Sequence, residues 1–539
     1  MTRLTVVLMV LVAVGVPGVS SLMAQEAAPT TAPAAAPTAE RVEKPAAEAA
    51  VSAASSDEAL EEDFLGDQDQ PPRKSDVFSL QDITMLTLKN NTSVKIRRIN
   101  PYIAETSVTE EEAAFDPAVE ASVSGGGTDS PVLGAGDTVS HSRGKSVTSS
   151  AAVTKRFTTG TRASVGATAT HEEDSTSDSS VSSAIELEVT HPLLKGAGPM
   201  VNQVDIFIAR NNTKISEWDF NSQVIDTIAQ AQTTYWELVF ALENLEVQKR
   251  SWRLSKRTLM QTEAQVEAGV LARIEITRVR ADVASKEEGI ISAQRSVEDQ
   301  VDQLRLLIRR PDSQLSDNTG IVPLERVTYK PVKLALMGEI SSALENRPDY
   351  VQAKLDTLNK DLELVRTRNN RLPRLDLTAT LDVNGLGGNV GDSGEVLADG
   401  DHVDWNLGAT FTYPLGNRAA DAAYARARLT KIQSLLRLKN IEDQIVVDVK
   451  AAVRKVEADG QRIRSTILAR QLAEERLAAE EEKLNVGQAI ILDLLEAQTL
   501  VAQTEAAERR AIVDYQNSLI QLEKVKGTLL QSNRIHLTR

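Results

Sequence analysis

The chain has 539 residues, no cysteine, and a formal charge of -16 from 76 acidic and 60 basic residues. The lack of cysteine excludes disulfides and any lipid carried on a cysteine thiol, and dispersed, outnumbered basic residues exclude a nucleic-acid partner, which needs clustered Lys and Arg to neutralise phosphate. Length alone suggests several domains of ~150 residues, but an internal duplication argues instead for two intertwined halves.

In chain order, Arg3 precedes an apolar run from Val6 to Val16 that is too short for a bilayer span of ~20 residues and suits a signal-peptide core. Leu22-Met23-Ala24 ends in a small residue, so residues 1–24 read as a signal peptide cleaved after Ala24, and the chain reads as exported. Residues 25–75, rich in Ala, Pro, Thr and Glu, bury too little apolar surface to offset their ordering entropy and read as a disordered tether.

The duplicated unit follows. Asn90 and Pro117 return 256 residues later as Asn346 and Pro373, with the same spacing of 27 in each pair; Leu80, Leu88, Val108 and Val119 have counterparts in Leu336, Leu344, Leu364 and Leu375. Further on, Ala209-Arg210 matches Ala427-Arg428 and Gly269 matches Gly487 at a shift of 218. Repeat one is placed at 76–312, a connection at 313–335, repeat two at 336–531, and a tail at 532–539.

Each repeat opens with a helical pattern, from Ser79 to Phe115 and again from Leu336 to Leu372, where Pro348 interrupts it. Pro373 then opens a regular strand in which Leu375, Leu377, Ala379, Leu381 and Val383 alternate with Asp376, Thr378, Thr380, Asp382 and Asn384. Its partner, Trp405 to Pro414, sets Trp405, Leu407, Ala409, Phe411 and Tyr413 against Asn406, Gly408, Thr410 and Thr412, across a Gly/Asp-rich loop from Gly385 to Asp404. A ten-residue strand with one apolar and one polar face suits a membrane barrel, and equally the edge of a soluble sandwich. Repeat one carries weaker strands around Val119 and Ile185. Between Pro117 and Pro192 it also has an insertion that reads as a hairpin, Val147 to Phe157 and Thr161 to Ala169. The strand regions are therefore 117–192 and 373–414.

Long helical hairpins complete the repeats, at 199–310 and 418–530. Leu238, Leu245, Trp252, Leu259 and Val266 recur every seven residues, and Val456, Ile463, Arg470, Leu477 and Leu484 hold the same register in repeat two. Ile276, Val283, Ile290, Val297 and Leu304, with Leu494, Val501, Tyr515 and Leu522, mark the returning helices; these are coiled-coil seams. Gly269 and Gly487 mark the turns.

The order and spacing of these pieces resemble the outer-membrane efflux protein (TolC) family. The text that carries the resemblance is Leu80 to Asn91, Ala343 to Asp349, His191 to Gly198, Tyr235-Trp236 and Asp514-Tyr515 through Leu530, over roughly residues 78 to 531. The resemblance implies an α+β membrane protein: a homotrimer with a shared β-barrel in outer-membrane lipid and an α-helical periplasmic tunnel, docked to a periplasmic adaptor and an inner-membrane pump of a tripartite efflux or type I secretion system. Two strand pairs per chain are too few to close a channel alone, which independently requires shared strands. The family standard is four strands per protomer, and the insertion in repeat one leaves the number open here.

By the same resemblance, Val266, Gly269, Val486 and Gly487 are adaptor-docking candidates, and Glu275, Asp493 and Glu496 line a periplasmic gate. Arg273 and Arg278, on a tip rich in arginine, would face the acidic second tip of a neighbour; the bland alternative is solvated charge near a turn. Some family members carry Arg two residues after the second glycine, where this chain has Ala489. Trp405, Phe411 and Tyr413 are the candidate aromatic belt. His141, His171, His191, His402 and His536 share no metal-ligand spacing, the Gly385 to Gly391 cluster lacks the Lys and helix of a phosphate loop, and Asp392, Asp399, Asp401 and Asp404 lack EF-hand spacing. No cofactor and no enzyme activity are expected. A periplasmic adaptor and a purely structural coiled-coil protein are the alternatives.

Overall fold

The computed structural model describes residues 75–133, 139–174, 177–309, 320–326 and 328–535. The signal peptide and its cleavage site, the tether up to residue 74, residues 313–319 and 327 of the connection, and His536 lie outside the described residues.

The chain opens with β1 (Ser75–Phe78), α1 (Leu80–Asn90) and α2 (Thr92–Ala113). The helix expected to run unbroken from Ser79 to Phe115 is thus two helices. Asn91 is extended there, and its side-chain oxygen caps α2 by accepting from Ser93 N (2.9 Å) and Val94 N (3.3 Å). An Asn cap outcompetes helix continuation because it satisfies amides that α2 leaves unpaired. In repeat two the helical stretch breaks at the corresponding place, Arg347.

Four long strands follow: β2 (Ala118–Leu133), β3 (Val139–Arg156), β4 (Arg162–Asp174) and β5 (Ser177–Pro192). The short helix α3 (Pro199–Asn202) leads into α4 (Val204–Glu267), which turns into α5 (Arg273–Ile308). At 64 residues α4 is about 96 Å long. Strand β6 (Gly320–Pro323) returns to pair in parallel with β1, Ser75 opposite Gly320. The connection therefore contributes a strand, and Ser75 belongs to the fold rather than to the tether.

Repeat two contains α6 (Leu336–Asn346), α7 (Pro348–Asn369), β7 (Arg374–Gly387), α8 (Val390–Asp399), β8 (Val403–Thr412), α9 (Arg418–Asn485), α10 (Ile491–Lys526) and α11 (Leu529–Ser532). Pro348 begins α7, where its missing N–H costs nothing. The Gly385 to Asp404 segment is not simply a loop. β7 continues to Gly387, and Asn389 caps α8 through Gly391 N (2.9 Å) and Asp392 N (3.1 Å). Ser393 of α8 is fully buried and bonds Ser183 of β5 (2.6 Å), and Gly385 and Gly387 leave room for that approach, since a Cβ on either would collide with Ser393. The C-terminal residues likewise join the body: Asn533 accepts from Gln232 (2.9 Å) and Ile535 packs on the main core.

The six long strands form one antiparallel sheet in the order β2-β3-β4-β5-β7-β8. The insertion in repeat one is its β3–β4 hairpin, turned at Gly160. Beneath the sheet, α2, α4, α7 and α9 lie side by side in that order. Arg210 bonds Glu112 (2.7 Å) between α4 and α2, Arg366 bonds Asp205 (2.5 Å) between α7 and α4, and Lys431 pairs with Asp361 between α9 and α7. The main core gathers Tyr235, Leu238, Leu304, Ile445, Tyr515 and Leu522, and a smaller cluster of Trp252, Val283 and Ile290 continues down the first hairpin.

Candidate functional site

Both hairpin tips lie together at one end. Val279 of α5 and Ile491 and Leu495 of α10 are buried in one apolar cluster, with Leu259, Leu271 and Leu484 around it. The first turn closes with Gly269 N on Val266 O (3.0 Å) and Val270 N on Gln265 O (2.9 Å), the second with Gly487 N on Leu484 O (3.0 Å) and Gln488 N on Lys483 O (2.7 Å). Gly269 and Gly487 have φ of +77° and +72°, the left-handed conformation that glycine adopts without Cβ strain. Apart from the adjoining residues, nothing among the described residues lies within 4 Å of where a side chain would stand on either, so both turns present bare backbone.

Val266 is half-buried and Val486 is exposed beside its glycine. Three further exposed apolar residues stand at the tips, Val270 and Ile490 in the turns and Ile274 at the start of α5. They escaped the sequence reading, although apolar residues inside turns, where polar ones are the norm, were a usable signal.

The charges around the tips divide in two. Arg278 donates to Glu275 (2.8 Å) within α5, and Arg280 reaches Glu263 of α4 (2.8 Å). The second oxygen of Glu275 is buried with no hydrogen-bond partner among the described residues. On α10, Asp493 accepts from Ile490 N (3.3 Å), capping its own helix where the dipole favours an anion. Glu496, one turn on, and Arg273, at the start of α5, are exposed.

The second candidate surface is the sheet, at the other end of the helices. Directly paired residues form continuous rows, one of which runs Val119, Val153, Val165, Leu187, Leu381 and Trp405 across all six strands. Trp405 and Phe411 are exposed on that face, 76% and 63%, so the whole row awaits an apolar environment. Tyr413, just past β8, is also exposed. The opposite face is polar: Glu120, Ala152, Gly166, Glu186, Asp382 and Asp404 form the adjacent row. These wall carboxylates were legible only as the polar half of the alternation.

The histidines are scattered: His141 lies against Asp129 (3.1 Å), His171 near Glu173 (3.9 Å) and His191 on Thr161 (2.8 Å). No helix among the described residues is long and apolar enough to cross a membrane.

Comparison with known proteins bears on both surfaces. The family described as Outer membrane efflux protein matches residues 85–308 and 340–528. Nodulation protein T of Rhizobium leguminosarum bv. trifolii is 21% identical over 299 residues, which cover 55% of this chain and 60% of that protein. Outer membrane protein TolC of Escherichia coli is 21% identical over 318 residues, 58% of this chain and 63% of TolC. The chain thus spans less than two thirds of the length of either relative. The crystal structure of the Campylobacter jejuni CmeC outer membrane channel superposes with a TM-score of 0.59 at 18% identity, covering 84% of this chain and 86% of CmeC, a likeness of fold.

Proposed function

The chain belongs to the outer membrane efflux protein family, and from that premise we propose that it works as a homotrimeric export channel, joined to a periplasmic adaptor and an inner-membrane pump. Its place is the outer membrane, with a large helical part in the periplasm. The observation that carries the proposal is the apolar row from Val119 to Trp405, which crosses every strand of a sheet with two open edges. A lipid-facing barrel wall needs an unbroken apolar face of that kind, backed by a polar face toward water. A periplasmic adaptor or a structural rod has no use for it.

In this reading the helical hairpins of three copies enclose a tunnel, and their tips form its periplasmic mouth. Val266, Gly269, Val486 and Gly487, with the exposed Val270, Ile274 and Ile490 beside them, offer the adaptor bare backbone and apolar side chains at one rim. Asp493 and Glu496 line the entrance and set its charge. Because Glu275 holds Arg278, Arg273 is, among the described residues, the cation at this tip left to meet a neighbour's carboxylates. The pump, tripartite or type I, selects the cargo.

Cell fractionation and mild-detergent sizing test the reading. The mature chain is expected in outer membranes and as a trimer; a soluble periplasmic monomer would overturn it.

A further inference from the structure

We propose that three copies of the chain close an eighteen-stranded barrel, six strands from each, in which β8 of one copy pairs with β2 of the next and Phe411 stands opposite the neighbour's Val119. The inference rests on the trimeric channel proposed above and adds the strand number, the pairing edge and its register.

Strand direction permits the pairing. The chain enters β2 from α2 and leaves β8 into α9, and all five pairings between them are antiparallel. β2 therefore runs away from the helices and β8 runs back toward them, so the two edges meet antiparallel, as the rest of the sheet does. Among the described residues each edge strand has one side unpaired, which hydrocarbon does not tolerate.

The register follows from symmetry. Ala118 and Thr412 are the ends of β2 and β8 nearest the helices, and a three-fold ring standing on level helices brings them together. The row of paired residues that starts at Ala118 passes Thr154, Ser164, Glu188 and Thr380 and reaches Asn406, six positions before Thr412. Each copy thus adds a stagger of six residues over its six strands. With a rise of ~3.3 Å per residue and a strand spacing of ~4.8 Å, equal stagger and strand number correspond to a tilt of ~35°, within the range of closed barrels.

The faces also agree. Setting Thr412 on Ala118 puts Phe411 on Val119, Ala409 on Ala121, Leu407 on Val123 and Trp405 on Gly125, all members of the apolar face. A slip of one residue in either direction would set Ala409 and Leu407 against Glu120, Ser122 or Ser124 of the polar face. The helices repeat the match: α2 and α9 are the outer helices of the row of four, and each exposes an apolar stripe at helical spacing, Ile96, Ile99 and Ile103 on α2 and Leu429, Ile432 and Leu436 on α9. The neighbouring copy that pairs its β2 with β8 brings its α2 stripe to the α9 stripe at the same time.

The absence of native cysteine makes the register directly testable. Phe411→Cys combined with Val119→Cys in the full-length protein, oxidised in detergent, is expected to convert most of the monomer band on a denaturing gel to covalent dimer and trimer. Each single variant should give neither, and Phe411→Cys with Val123→Cys should give far less, because their Cβ atoms lie beyond disulfide reach. Leu407→Cys with Val123→Cys tests the same register should the first pair impair folding. Intact trimers without the in-register cross-links would overturn the edge and leave the channel reading standing, whereas loss of the trimer in the unmodified protein would overturn that reading itself. A cryo-EM map of the trimer counts the wall directly: eighteen strands are expected, and twelve would overturn the proposal.

Discussion

Arg510 of α10 donates to the carboxylate of Glu237 on α4 at 2.6 Å, fastening the second hairpin to the first. Asn517 donates to the other Glu237 oxygen at 3.0 Å, and the guanidinium lies over the Phe240 ring at 5.2 Å. Both charges are partly shielded, so a double-mutant cycle of Glu237→Ala and Arg510→Ala in thermal unfolding should return a coupling of ~1 kcal/mol, the upper end for accessible pairs. A coupling of zero would mean that this pair adds nothing to the packing between the hairpins.

Tyr235 donates its hydroxyl to Glu325, whose carboxylate also accepts from Leu80 N at 3.0 Å. Burial, and then the bond to Glu325, push the Tyr235 hydroxyl above its ordinary value of 10.0. A raised value means that the unfolded chain ionises first as pH rises, so this contribution is complete below pH 10 and is lost above it. Tyr235→Phe should cost ~1.5–3 kcal/mol at pH 8, since a carboxylate loses its donor. The gap between variant and parent should narrow above pH ~10. Denaturant unfolding at several alkaline pH values checks this, and a gap that stays constant would refute it.

Leu381 and Thr380 are sequence neighbours on opposite faces of β7. Leu381→Lys should block membrane assembly, because a lysine facing mid-bilayer lipid costs ~2–4 kcal/mol, whereas Thr380→Lys should assemble. Heat-modifiable trimer on a gel reads the outcome. Equal defects on the two faces would favour a sheet buried in a soluble sandwich.

At the tips, three copies of Asp493 and Glu496 would concentrate negative potential at a narrow mouth and favour cations. Single-channel recording of Asp493→Ala with Glu496→Ala should show a weaker cation preference. Arg273→Ala with Arg278→Ala should raise conductance and keep that preference, with Arg273 responsible for most of the change because Arg278 is already held by Glu275. Recordings indistinguishable from the parent would identify these groups as solvated surface charge.

Much of the architecture could be read without coordinates because periodicity is local. Alternation from Leu375 to Val383 needs only the pleat of a strand to put one set of side chains on one face. The seven-residue spacing of Leu238 and Trp252 needs only the pitch of a helix, and both residues are buried. Gly269 and Gly487 were legible as turns for the same reason. Local pattern failed where a side chain settled a contest between structures: Asn91 splits a helix by capping α2, and Asn389 starts α8 where glycine and aspartate suggested a loop.

What the sequence determined by itself was therefore the kind of each long element, the duplication, and which face of a strand is apolar. Only the tertiary structure decided that β1 pairs with β6 across more than two hundred residues, that six strands share one sheet, and that Val119 and Trp405 stand at the two ends of one row. It also decided that Ile96 on α2 and Leu436 on α9 occupy opposite edges of one protomer. The physical reason is that period is set by neighbours along the chain, whereas register and edge are set by contacts between segments far apart in sequence, which no single segment records.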